Sequence, residues 1–153
     1  GGYALSDRAQ HIADAVGENM YQRDHAARAL GIKLLEIRPG FARMSMEGRP
    51  DMLNGHDICH GGLIFTLADT AFAYACNSGN RVTVAQHCAV TFLAPARRGD
   101  VLTATAQERH RAGRTGFTDI DITNQTGKLI AVFRGHSYQL NGEVVPNIGT
   151  IEP

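Results

Sequence analysis

The sequence lacks what a disulfide framework, a polyanionic partner or a membrane span would require. Only three cysteines occur, Cys59, Cys76 and Cys88. Their odd number and the missing Cys-x-x-Cys spacing suit free thiols in a reducing compartment. Excess charge of either sign is also missing, because 15 Lys plus Arg balance 15 Asp plus Glu. No broad field exists to hold nucleic acid, and any anion recognition has to be local. No stretch approaches the roughly 18 apolar residues of a membrane span, and no basic segment followed by an apolar run stands at the N-terminus. A cytoplasmic protein without a membrane partner is the expectation. Pro/Ser-rich linkers, internal repeats and low-complexity blocks are absent too. The 153 residues, 43% hydrophobic and 20% charged, therefore read as one domain, 1–153, long enough to bury a core without disulfide or metal support.

What is present falls into a helical part and a strand-rich part. Residues 1–30 read as an N-terminal helical extension. Ser6 suits an N-cap ahead of Ile12, Ala13, Val16 and Met20, and a second piece from Arg23 to Leu30 stops at Gly31, where a left-handed C-cap belongs. Ala42, Met44 and Met46 alternate with Phe41, Arg43 and Ser45 as in a half-buried strand. From Leu63 to about Asn77, Leu63, Ile64, Leu67, Ala68, Ala71, Phe72 and Ala75 repeat at helical spacing. Only Thr66, Asp69, Thr70 and Asn77, with Ala73 among them, form a narrow polar strip, so this helix belongs in the middle of the molecule. Strand patterns follow at Val82–Leu93, Val101–Gln107, Thr118–Ile122 and Lys128–Leu140, with turns at Pro95–Asp100, Ala112-Gly113 and Asn124–Gly127. Short loops favour antiparallel pairing. The reading is α+β: a four-stranded meander, part of a curved antiparallel sheet, wrapped around one buried helix.

Asp69 is the most informative residue. Asp is a poor helix former outside the first turn, yet this one sits about two turns past Gly61-Gly62 on an otherwise apolar helix. It either faces a polar rim or an Arg, or is held in a pocket as a base or nucleophile. His60-Gly61-Gly62 supplies a complement. Two glycines at a helix start let the backbone approach a ligand, and first-turn N–H groups lack intrahelical acceptors. Such an oxyanion donor is worth roughly 10²–10³ in rate; Gly-Gly there equally serves packing. His56 and His60 have the spacing of a His-Glu-x-x-His zinc pair, but Asp57 stands where Glu should be and the surrounding glycines make a loop, so no metal is expected. Cys59 beside His60 reads as a buried thiol rather than a nucleophile.

Asn54-Gly55-His56, Cys59-His60-Gly61-Gly62 and Leu67-Ala68-Asp69-Thr70-Ala71-Phe72-Ala73-Tyr74-Ala75-Cys76-Asn77 closely resemble the phenylacetate-pathway acyl-CoA thioesterases, which are hotdog-fold proteins. The likeness continues through Phe92-Leu93, Gly99-Asp100, Leu102–Gln107 and Phe133-Arg134-Gly135. The resemblance implies a hotdog fold, with the long helix inside the curved sheet, and homodimers that pair again into tetramers, with sites at the dimer interface. It implies Asp69 as the catalytic carboxylate, the Gly61 amide as donor to the thioester carbonyl, Asn54 as the group positioning water or acyl group, and His60 as the residue shaping the turn. Gly62 and Thr70 are expected beside the substrate. Arg97-Arg98 and Arg111-Ala112-Gly113-Arg114 are local basic loops suited to the CoA phosphates, or else ordinary surface arginines. No cofactor is implied beyond the CoA of the substrate.

The leading reading is hydrolysis of phenylacetyl-CoA or a related aryl-acyl-CoA to the acid and CoA. A hotdog hydratase or dehydratase is the alternative among enzymes, but it calls for an acid/base pair around the β-carbon, typically with a His. A non-catalytic acyl-CoA-binding protein is the third, and the presence of Asp69 argues against it.

Overall fold

The computed structural model describes residues 2–152. In chain order the elements are α1 (Gly2–Arg23), α2 (His25–Ala29), β1 (Lys33–Arg38), β2 (Phe41–Glu47), a 3-10 turn (Pro50–Met52), α3 (Gly61–Asn77), β3 (Arg81–Phe92), β4 (Val101–Ala112), β5 (Thr115–Thr123) and β6 (Leu129–Glu143). Six antiparallel strands form one sheet in the order β1-β2-β4-β5-β6-β3. α3 lies against β2, β3, β4 and β5, as the hotdog resemblance implies.

The packing follows from the alternation in each strand. Ala42, Met44 and Met46 of β2, Leu102, Ala104 and Ala106 of β4, and Ile120 and Ile122 of β5 are buried. Ile64, Leu67, Ala68, Ala71, Phe72 and Ala75 of α3 are buried with them in one apolar cluster. The fit is close at Gly135, where a Cβ would stand 2.4 Å from the Phe72 ring. Glycine at that point of β6 is a packing requirement.

Two buried polar groups hold the helix in place. The Tyr74 hydroxyl donates to Asp24 Oδ2 at 3.2 Å, tying α3 to the N-cap of α2. Asn77 bridges the C-terminal end of α3 to β3: its Nδ2 donates to Ala73 O and Thr83 O, and its Oδ1 accepts from Thr83 N. Gly31 adopts a φ of +70° after α2 and Gly127 a φ of +84° in the β5–β6 loop, the left-handed positions read from the sequence.

Three local readings change. α1 begins at Gly2, so Ser6 lies inside the helix and is not its N-cap. β1 adds a strand that no clean alternation announced; Lys33-Leu34-Leu35-Glu36-Ile37-Arg38 bulges between Leu34 and Glu36 and leaves Leu35 exposed. The last four strands are not one meander, since β3 skips past β4 and β5 to pair with β6. β3 is thereby an edge strand, and Val84, Ala85, Gln86 and His87 along it are exposed. No helix of the described residues is long and apolar enough to cross a membrane.

Candidate active site

His60 fixes the start of α3. It is the N-cap in extended conformation, its own N–H donates to Met52 O at 2.8 Å, and its Nδ1 accepts the Gly62 N–H at 3.3 Å. The Leu63 and Ile64 amides both donate to His60 O. Of the first-turn N–H groups, only that of Gly61 has no acceptor among the described residues. A single bare donor therefore stands at the positive end of a 17-residue helix. Gly62, expected beside the substrate, has its amide already taken by the cap.

Asn54 and Gly61 both line a cleft of about 520 Å³; Ile58, Cys59, Ile64, Phe92, Leu93, Ala94, Pro95 and Ala96 complete its lining. The Asn54 Oδ1 accepts from His56 N at 2.9 Å and Ile58 N at 3.4 Å. With the oxygen so engaged, the carboxamide NH₂ is left as a donor without an acceptor among the described residues. Cys59 is buried, and burial and the Asp100 charge both raise its thiol pKa, so it is no thiolate nucleophile.

Asp69 lies in the third turn of α3, half-buried, with neither a hydrogen bond nor an ion pair among the described residues. The rim-pairing alternative thus finds no partner. Burial raises its carboxyl pKa above the ordinary 3.8. The Asp69 charge in turn helps raise the Cys88 thiol on β3. Thr70 beside it donates its hydroxyl to Thr66 O at 2.6 Å, so that proton is held by the helix backbone.

The structure does not bring Asp69 and Gly61 together within one chain. Eight residues of α-helix separate them by about 12 Å along the axis, far beyond the reach of a carboxylate toward a carbonyl on the Gly61 amide. Asp69 does not line the Asn54–Gly61 cleft either.

The arginine loops also part. Arg97 and Arg98 are exposed beside Ala96 at the cleft, without an ion pair among the described residues, on a turn pinned by Arg97 N donating to Asp100 Oδ2. Arg111, Gly113 and Arg114 sit at the far end of β4, roughly 35 Å of extended strand away. Arg111 is turned inward, only 10% exposed, donating to Cys76 O at 3.1 Å and lying 3.6 Å from Glu108. It holds the C-terminal end of α3 and is not an open phosphate ligand. Gly113 takes a φ of +59° in the β4–β5 turn, and Arg114 donates to Gln139 O and Asn141 Oδ1. Phe92 and Leu93 were legible only as matched residues; their place as cleft wall depends on the β3–β6 pairing.

A curved antiparallel sheet wrapped on one long helix is the hotdog architecture, and here the helix has a bare first amide and an unpaired carboxylate in its third turn. The chain belongs to the thioesterase superfamily, whose family model matches residues 56–131. It is 51% identical over 125 residues to the acyl-coenzyme A thioesterase PaaI of Escherichia coli, covering 82% of this chain and 89% of that one. Human acyl-coenzyme A thioesterase 13 is 33% identical over 108 residues, 68% of this chain and 77% of its own length. The solved structure of the E. coli PaaI protein, from the phenylacetic acid degradation operon, superposes with a TM-score of 0.86 at 49% identity, covering 88% of this chain and 97% of that one.

Proposed function

We propose that the chain hydrolyses acyl-CoA thioesters, phenylacetyl-CoA and related aryl-acyl-CoAs foremost, at a site shared by two copies. The observation that carries this reading is the pair formed by the bare Gly61 amide and the unpaired Asp69, held about 12 Å apart on one rigid helix. Each is half of an acyl-transfer site, and a second copy supplies the other half. The exposed edge of β3 suits such a pairing, since a long unpaired strand is ordinarily covered. The phenylacetate link rests on the likeness to E. coli PaaI.

In this account the thioester carbonyl oxygen accepts the Gly61 N–H, and the Asn54 carboxamide holds the acyl group or water. Asp69 of the second copy takes a proton from water as its oxygen attacks the carbonyl carbon. Alternatively Asp69 attacks the carbon itself, and water then opens the mixed anhydride. In both routes the C–S bond breaks, and the CoA thiolate leaves and takes up the proton. His60 positions the amide. Arg97 and Arg98, free at the cleft, suit the CoA phosphates. The reaction calls for no cofactor beyond the CoA of the substrate. Residues 1–153 act as one domain with the N-terminal helices as a brace, and three free thiols suit a cytoplasmic setting. Dimers pair again into tetramers, as the resemblance implies.

A thiol reagent that reports free CoA tests the activity directly. Release of CoA from phenylacetyl-CoA at a rate proportional to protein supports the reading. Binding of the thioester without release would leave an acyl-CoA-binding protein, and loss of an enoyl thioester without free CoA would favour a hydratase.

A further inference from the structure

We infer that Phe92 determines acyl specificity, its ring forming the wall against which an aromatic acyl group packs; this rests on the hydrolysis proposed above. A Cβ built on Gly61 would stand 3.0 Å from Phe92 Cζ and 3.3 and 3.4 Å from its Cε atoms. The far edge of the ring therefore lies in contact over the residue that owns the bare amide. Phe92 is nonetheless 51% exposed, and its neighbour Leu93 is 52% exposed. Together they turn an apolar surface toward the cleft that Asn54 and Gly61 line.

This surface is held, not loose. Phe92 pairs with Ala131 at the end of the β3–β6 ladder, and the Leu93 and Ala94 amides both donate to Ile130 O. Ile58, Ile64, Pro95 and Ala96 continue the wall with apolar groups. Such a lining is unsuited to the charged nucleotide end of CoA and suited to an apolar group adjoining the carbonyl. In an aryl-acetyl thioester a single methylene separates the ring from the carbonyl carbon. With the carbonyl oxygen on Gly61 N–H, that ring reaches Phe92 and can meet it edge-to-face at the usual 4.5–7 Å between centroids. A straight acyl chain gains burial there but no ring-on-ring geometry.

The test compares kcat/KM for phenylacetyl-CoA and hexanoyl-CoA in the parent, Phe92→Leu and Phe92→Tyr, with inhibition by free CoA and Tm measured alongside. The aryl-to-alkyl ratio is expected to fall about tenfold in Phe92→Leu, a size typical of one apolar contact in a specificity pocket. It should stay within about threefold of the parent in Phe92→Tyr, which keeps the ring. Free CoA should inhibit all three alike. Should the Leu variant melt early, Phe92→Met, unbranched and adaptable, takes its place in the comparison. An unchanged ratio, or equal loss on both substrates with weaker CoA inhibition, would overturn the inference and make Phe92 a packing residue or a wall for the CoA arm. A parent inactive on both thioesters removes the hydrolytic reading itself, and this inference with it.

Discussion

The His60 imidazole and the Gly62 amide are joined by a hydrogen bond in which Gly62 N–H donates to Nδ1 at 3.3 Å. That bond, with the two amides that His60 O accepts, leaves Gly61 as the one uncommitted donor of the first turn. His60 is therefore a positioning residue. His60→Ala should cost about 1 kcal/mol of stability as a lost N-cap, and should lower kcat more than it raises KM. His60→Asn places an amide oxygen in the same role and should restore most of both. Stability restored without rate in thermal melts and steady-state kinetics would instead give the imidazole a chemical part.

Asp69→Asn removes the charge and keeps the size. kcat should fall by at least about 10²-fold with KM nearly unchanged, as for loss of a base or nucleophile. The sign of the stability effect follows from burial, which raises the folded-state carboxyl pKa above 3.8. The folded protein then holds the proton to higher pH than the unfolded chain, so stability falls as pH rises from the unfolded value through the folded one. At neutral pH the Asn variant should match or exceed the parent in urea denaturation, and the advantage should vanish below pH 3.8. Parent kcat/KM should show an acid limb displaced upward from the ordinary aspartate value, in the direction burial imposes. A less stable Asn variant with near-full activity would return Asp69 to a structural role.

Arg111 and the Arg97-Arg98 pair should separate cleanly. Arg111→Ala leaves the half-buried Glu108 without its cation and Cys76 O without its donor, and should cost about 1–3 kcal/mol of stability while KM for acyl-CoA changes little. Arg97→Ala combined with Arg98→Ala touches exposed side chains and should leave the melting curve nearly unchanged, while KM rises and its dependence on salt weakens. Reversed outcomes in kinetics and melts would put the phosphates at the far end of β4.

Much of this site was legible in the residues because its parts are local. The apolar stripe from Leu63 to Asn77, the glycines before it and the misplaced Asp69 all lie within one helix, and their meaning needs only helical geometry. What escaped depends on distant neighbours. β3 pairs with β6, some fifty residues on, and nothing in Val82–Leu93 alone distinguishes that partner from β4. Lys33–Arg38 carries charges at both ends and a bulge within, so its alternation is too broken to read as a strand. Arg111 looks like any surface arginine until the C-terminal end of α3 is seen above it. Ser6 obeys a capping rule that the longer α1 does not use.

Whether Asp69 of one copy completes the Gly61 site of another is decided by subunit complementation. Asp69→Asn and Gly61→Val, each inactive alone, are to be unfolded together, refolded as a mixture and assayed for CoA release from phenylacetyl-CoA. With random pairing half the dimers are mixed, and each mixed dimer carries one intact site and one doubly defective site. If Asp69 acts across the interface, the mixture should recover about a quarter of parental activity. Mixed dimers formed without any recovery would contradict it, because Asp69 and Gly61 would then have to act from the same chain.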